Sequence, residues 1–455
     1  MGHNNHNFFA PEVFSMNSDF EGSELNLGGC NATSLAREFG TPLFVIDELD
    51  FAFRAQAWKE ALEKSFAGSA GMVFYAAKAF ISVEVAKWVN DSGIGLDVCT
   101  GGELAVALAA NFPPERIELH GNNKSEAEIS KAISVGVRAI VVDSFYEIER
   151  VARLAAEAGK IQKVLLRLTA GIEAHTHEFI ATAHEDVKFG FSIASGAAWK
   201  AVEEVQQRAS LRLAGFHSHI GSQIFSTEGF AIAASRLVAL LAKYRDHFDS
   251  ELPELDLGGG YGIAYVPGET SVDPLEILRE LSHVVRSECA KHQLHCPLVS
   301  IEPGRAIVGP TTTTIYSVGT TKNVQLDNGK NRRYIAVDGG MSDNIRTALY
   351  DAEYFAILAN RVSTDDLISS RIVGKHCESG DIVIREIELH SDISPGDLIA
   401  IPATGAYGRS MASNYNHVPR PAVVAVKNGK ARLLVRRETE ADLLSLDVVE
   451  PERSI

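Results

Sequence analysis

Cysteine is scarce and scattered in this chain: Cys30, Cys99, Cys289, Cys296 and Cys377 make five in 455 residues, with no Cys-x-x-Cys pair. That spacing argues against a disulfide scaffold and fits free thiols in a reducing compartment. Basic runs are equally wanting. None is longer than a pair such as Arg332-Arg333, and the formal net charge is −16, so nucleic-acid binding is not the expected task. No apolar run reaches the length of a membrane span, and no membrane partner is expected. The opening stretch, MGHNNHNFFAPEVFSMNSDFEGSE, has no basic segment followed by an apolar one. No secretory signal is therefore expected, and the expected location is cytoplasmic. Residues 1–25 are expected to form a poorly ordered tail. Internal repeats and low-complexity linkers are also missing.

What is present is the composition of a globular protein, 45% hydrophobic and 22% charged, at a length that calls for two domains. Eight short apolar runs punctuate residues 71–304: GMVFYAAKA, GIGLDVCT, IELHG, AIVVDS, KVLLRLT, RLAGFHSHIG, ELDLGGG and LVSIEPG. Helix-patterned segments such as EIERVARLAAEAG fill most of the intervals. Apolar strands alternating with amphipathic helices imply a parallel sheet covered by helices, and eight units match a (β/α)8 barrel. A doubly wound sheet is the rival, but it carries its glycines in the first strand–helix turn, whereas here they cluster at the seventh strand. After residue 310 the pattern turns β-rich, with turn pairs Asn328-Gly329 and Asn428-Gly429. The expected division is a barrel over 50–309 and a second, all-β domain from 26–49 plus 310–455, joined by the strand-like TPLFVIDE (41–48).

The strand runs end on Lys78, Asp97, His120, Asp143, Arg167, His219, Gly258-Gly259-Gly260 and Glu302-Pro303-Gly304-Arg305. Active sites of such barrels lie at these ends, so the eight form a ring around one mouth. A lysine inside an apolar run either turns its head to water or serves covalent chemistry. Consecutive glycines after strand seven and an arginine after strand eight suit a phosphate. Lysine and phosphate cradle together suggest pyridoxal 5′-phosphate, with Glu302 beside the pyridine nitrogen. His217 and His219 share a strand face, as metal ligands can, but no carboxylate ligand can be placed beside them from sequence. No metal is expected. Stacking on a flat cofactor suits His219 better, and His175 and His177 receive no role.

Taken in order, YAAKA, GLDVCTGGE, GNNKS, AGIEAHTHEFI, KFG, HSHIGSQI, LDLGGGYGI, IEPGR, DGGMSDNIRTALY, CESGD and GAYGRSMASNYN resemble the fold-type III pyridoxal-phosphate decarboxylases over residues 41–425. The resemblance implies an alanine racemase-like architecture, a barrel plus a β-rich C-terminal domain. It implies that Lys78 holds the cofactor aldehyde, that His219 stacks on the ring, and that Asp97 and Glu103 are acidic groups nearby. Ser222, Gly258, Gly259, Gly260, Gly304 and Arg305 would surround the phosphate, with Glu302 at the pyridine nitrogen. From the second domain, Cys377 would be the proton donor and Tyr415 a cofactor contact. Arg305, Arg346, Tyr350, Glu378 and Tyr415 match substrate-binding positions. In this family CESGD completes the neighbouring subunit's site, so a homodimer is implied.

The expected activity is a carbon–carbon lyase reaction, decarboxylation of meso-2,6-diaminopimelate to L-lysine in lysine biosynthesis. A substrate with a second amino-acid head calls for an arginine and a carboxylate, and Arg346 and Glu378 supply them. The alternative is another basic amino acid: ornithine, lysine, arginine or a carboxynorspermidine type. A racemase of this barrel type would put arginine at the pyridine nitrogen, against Glu302. A silent relative would have lost cofactor or donor residues. Two departures from the family, TAGIEAHTHEF in place of an Asn-Pro before the glycine and threonine in NIRTALY, touch no assigned residue.

Overall fold

The computed structural model describes residues 9–171 and 188–448. His175 and His177 lie outside the described residues. Two compact units are distinguished: 52–263 with 271–307, and 1–51 with 264–270 and 308–455.

The first unit is the barrel. Its strands are β1 (Ala70–Ala76), β2 (Gly95–Val98), β3 (Ile117–Leu119), β4 (Ala139–Val142), β5 (Gln162–Thr169), β6 (Leu211–His217), β7 (Glu254–Asp256) and β8 (Leu298–Ile301). Each pairs in parallel with the next, and Ile301 of β8 opposite Val73 of β1 closes the ring. All eight apolar runs read from the sequence are these strands. β2, β3 and β4 are buried at every position, as strands covered on both faces must be.

The strand–helix turns end on helix caps. Ser82, Thr100, Ser125, Ser144 and Asp273 each accept a backbone N–H from the first turn of the helix that follows. Each such cap contributes about 1 kcal/mol. Helix Phe145–Glu157 then buries Ile148, Val151, Ala152, Leu154 and Ala155 along one stripe and leaves Glu149 and Arg153 in solvent.

GNNKS contains a structural lysine. Lys124 is almost wholly buried, and its ammonium donates to Gly121 O at 2.6 Å, Val141 O at 2.7 Å and Glu147 Oε1 at 2.8 Å. Glu147 also accepts the Asp143 N–H at 2.7 Å, so lysine and carboxylate bind the ends of β3 and β4 together.

The barrel interior is polar where branched apolar side chains usually fill it. Glu118 of β3 pairs with Arg138, Arg138 reaches Glu254 at 2.9 Å, and Lys163 pairs with Glu254. Burial raises the Glu118 carboxyl to about 7, with Arg138 opposing and Glu254 assisting the shift.

The second unit is built on strand Thr312–Gln325, which pairs antiparallel with Asn331–Val337, Leu398–Ile401 and Leu43–Asp47. Leu43–Asp47 also runs parallel to Ala422–Lys427, so TPLFVIDE lies inside this sheet. The hairpin from Ala422–Lys427 to Lys430–Val435 turns on Asn428 (φ 50°) and Gly429 (φ 72°), the left-handed pair a two-residue hairpin requires. The expectation of a poorly ordered tail is corrected for residues 9–25. Ser18–Glu21 and Glu24–Leu27 pair as strands, and Ala10, Val13, Phe14 and Leu25 are buried in the unit's core. The misreading is explicable: the core residues are too few and too irregularly spaced to show a period.

Two predictions follow from the buried charges. Lys124→Met strands the Glu147 carboxylate and is expected to lower the unfolding free energy by about 3–5 kcal/mol, measured by urea denaturation. An unchanged midpoint would deny the lysine a structural role. For Glu118, a carboxyl raised on folding stabilises fully below its ordinary range near 4.5 and loses that contribution as pH climbs through about 7. The stability of wild type relative to Glu118→Gln should therefore fall between pH 4.5 and 7. A constant difference would show that Glu118 does not titrate there.

Candidate active site

At the barrel mouth, the segment after β1 is anchored by the Ala77 N–H to Asp97 O at 2.9 Å. Lys78 is half-buried, and its charge acts on Asp97, Cys99, Glu103, His120, His217 and His219. The amine thus stands among the groups that end β2, β3 and β6. Burial raises the Asp97 carboxyl above its ordinary value, although His120 and Lys78 pull it down. Burial likewise lifts Glu103 to about 7. Glu103 accepts the Cys99 N–H at 2.5 Å, while Thr100 caps its own N–H.

The glycines have a reason beyond an open backbone. A Cβ on Gly258 would lie 2.5 Å from Ser218 O, one on Gly259 2.1 Å from Glu302 O, and one on Gly260 2.2 Å from Gly221 O. Gly258 and Gly260 also have φ of 71° and 108°. Only glycine lets the ends of β6, β7 and β8 approach this closely. The Glu302 N–H donates to Gly258 O at 2.8 Å, the Gly259 N–H to His219 Nδ1 at 3.3 Å, and Arg305 Nη2 to Ser222 Oγ at 2.9 Å. Ser222, Arg305 and the glycines after β7 are thereby linked around one corner.

Beneath the mouth lies a layer the sequence reading did not assemble. Glu302 Oε1 is 3.2 Å from His120 Nε2 and 3.2 Å from His217 Nε2. The two rings meet edge-on with centroids 5.0 Å apart. Glu118, Asp256 and Glu302 bring carboxylate oxygens within 4.8 Å of one another. Burial, with repulsion from Glu302 and Glu118, holds Asp256 well above the usual carboxylate range. Burial also keeps His217 and His219 well below the usual imidazole range and sets His120 at about 4, so all three are neutral near pH 7. The carboxylate that could not be placed beside His217 is Glu302. The signal was there in part, since Glu118 of β3 and His120 just after it stand two apart in extended chain and share a face.

In the β-rich unit, three segments converge. Asp381 accepts the Met341 N–H at 2.6 Å and the His376 N–H at 2.7 Å. His376 Nε2 meets Ser342 Oγ at 2.8 Å, and the Ser413 N–H donates to Ser342 O at 2.8 Å. Asn416 Oδ1 lies 3.2 Å from His376 Nδ1 and accepts the Cys377 N–H at 3.3 Å. The His376 ring lies 5.3 Å from that of Tyr415. This network holds Cys377, Glu378 and Tyr415 in neighbouring loops, and all three are exposed in the single chain, as is Tyr350. His376, Asp381 and Asn416 carried no role in the sequence reading.

Arg346 differs from them. It is 5% exposed, donates from Nη1 to Tyr354 Oη at 2.7 Å, and spreads its guanidinium over the Tyr265 ring at 4.8 Å. Among the described residues its partners are tyrosines and no carboxylate pairs with it. A buried cation supported only by phenols keeps its charge unneutralised.

The residues fit a pyridoxal phosphate. A buried carboxylate, Glu302, an amine and a serine–arginine–glycine corner stand at the same mouth.

Residues 50–309 match the family model described as "Pyridoxal-dependent decarboxylase, pyridoxal binding domain". The diaminopimelate decarboxylase of Mycobacterium tuberculosis is 54% identical over 444 residues, covering 96% of this chain and 98% of that one. That of Bacillus subtilis is 46% identical over 424 residues, covering 93% and 95%. Among solved structures, diaminopimelate decarboxylase from M. jannaschii in co-complex with L-lysine superposes with a TM-score of 0.87 at 29% identity, covering 97% of this chain and 99% of that one. The fold, the polar mouth and this breadth of identity agree: the chain belongs to the pyridoxal-dependent decarboxylases, in the diaminopimelate decarboxylase family.

Proposed function

We propose that this chain decarboxylates meso-2,6-diaminopimelate to L-lysine and carbon dioxide, with pyridoxal 5′-phosphate at the barrel mouth. The observation that carries the substrate choice is Arg346, a buried guanidinium with two tyrosine neighbours and no carboxylate partner among the described residues. The distal carboxylate of diaminopimelate completes it; ornithine and lysine have nothing to offer there.

Lys78 would supply the amine that holds the cofactor aldehyde. Arg305 and Ser222 would hold the phosphate with Gly258, Gly259, Gly260 and Gly304, and His219, a neutral ring, would lie against the cofactor face. Glu302 would face the pyridine nitrogen, while Asp97 and Glu103 stand near the amine. When bound, the cofactor supplies an electron sink for the pair released as the Cα–carboxylate bond breaks. Cys377 then delivers its thiol proton to the α-carbon, and Glu378 receives the distal ammonium beside Tyr350 and Tyr415.

A second copy of this chain covers the exposed loop that bears Cys377 and Glu378, giving a homodimer with shared sites. The exposure of Tyr350 (61%) and Tyr415 (41%) in the single chain supports that reading. Among the described residues no helix is long and apolar enough to cross a membrane, and the cysteines are unpaired, which supports a cytoplasmic enzyme.

Carbon dioxide release should be seen with meso-diaminopimelate and be absent with L-ornithine and L-lysine; equal rates on all three would reject the substrate. Arg346→Ala should lose about 10–100-fold in kcat/KM, the worth of a hydrogen-bonded charge pair, mainly through KM. Cys377→Ala should keep the bound cofactor's visible absorbance yet turn over at least about tenfold more slowly. An unchanged rate would remove Cys377 as donor.

A further inference from the structure

We infer that His120 and His217 are positioning residues for the cofactor's ring nitrogen, each donating its Nε2–H to Oε1 of Glu302 and so fixing that carboxylate beneath the ring. The inference rests on the assignment of Glu302 to the pyridine nitrogen and goes beyond it, since neither histidine enters that assignment.

The geometry is particular. Two imidazoles from different strands, β3 and the end of β6, bring Nε2 to 3.2 Å from the same oxygen of a side chain that follows β8. His120 Nε2, both ring nitrogens of His217, and Glu302 Oε1 are buried, and among the described residues none of them has an aligned hydrogen-bond partner, one another included. A small rotation of either ring therefore makes the contact without breaking another at those atoms. His120 Nε2 also lies 3.7 Å from Asp97 Oδ1 and 3.7 Å from Glu118 Oε2, but Glu302 is nearest. The charges of Arg167 and Lys78 act on His217, and both disfavour its protonation.

Neutrality is what makes this pair useful. A cationic histidine would neutralise Glu302 and weaken its hold on a ring proton. A neutral imidazole has one N–H to give and adds no charge, so it orients the carboxylate while leaving it basic. Two donors on one oxygen leave the other oxygen for the pyridine N–H. Burial keeps both rings in that form, placing His120 at about 4 and His217 further below its ordinary value.

The test separates this inference from the reading beneath it. The holoenzyme is reconstituted with pyridoxal phosphate carrying 15N in the ring, and the nitrogen shift reports ring protonation independently of turnover. His120→Asn and His217→Asn withdraw the Nε2 donor, whereas His120→Gln and His217→Gln replace it with an amide N–H of similar reach. Glu302→Gln serves as the control. The expected result is loss of the protonated signal in Glu302→Gln, a partial shift toward the unprotonated position in both Asn variants, and recovery in the Gln variants. The Asn variants should also lose about tenfold in kcat with KM nearly unchanged, the effect of one hydrogen bond to a charged group. If Glu302→Gln moves the signal but the Asn variants do not, the positioning role is overturned and the Glu302 assignment stands. A protonated signal that persists in Glu302→Gln overturns both. Should the Asn variants fail to fold, the Gln variants decide alone, because a protonated signal and wild-type kcat are required of them.

Discussion

A carboxylate held dry beneath the mouth of a parallel barrel is the constraint from which the rest of the site follows. Glu302 lies at the end of the last strand, with Glu118 and Asp256 close by. Three such groups cannot all be ionised in a dry interior, and the fold answers with protons and distant cations. Asp256 is pushed far up, Glu118 is pushed up against the pull of Arg138, and Arg138 and Lys163 sit with Glu254 on the other side of Glu118. The polar barrel interior is thus an electrostatic foundation for one group at the mouth. The close approach of the strand ends, possible only with glycine at 258, 259 and 260, completes that foundation.

The β-rich unit shows the complementary device. There a cation, Arg346, is buried without an acidic partner among the described residues. Leaving a guanidinium in that state costs stability in the free protein, a cost that an incoming carboxylate reverses. Cys377 is treated differently: it is exposed, and the neighbouring backbone is held by Asp381, His376 and Asn416. Asn416 and the next residue, His417, both take left-handed backbone angles, φ 51° and 54°, a region that asparagine and histidine enter more readily than most side chains.

Much of this was legible in the sequence. The eight apolar runs could be read because parallel strands buried on both faces leave no alternation to confuse, and the caps mark where each helix begins. The ring of strand-end residues could be read because chain order and fold class together fix which end they occupy. What could not be read depends on the interior of the barrel. Parity along β3 places Glu118 and His120 on one face, but closure decides that this face meets His217, Asp256 and Glu302. The glycine cluster was legible as a motif and only half legible as a cause, since its demand comes from neighbouring backbones distant in sequence. Residues 9–25 were hidden because their few apolar side chains follow no period, and Lys124 because one lysine in a polar motif looks the same buried or free.

The proposed reaction requires a covalent attachment of the cofactor at Lys78. Borohydride reduction of the holoenzyme followed by peptide mass mapping tests it most directly. The phosphopyridoxyl group is predicted on the peptide that carries Lys78 and on no other. Its appearance on a different lysine, Lys124 included, or a failure to label any lysine, would contradict the account.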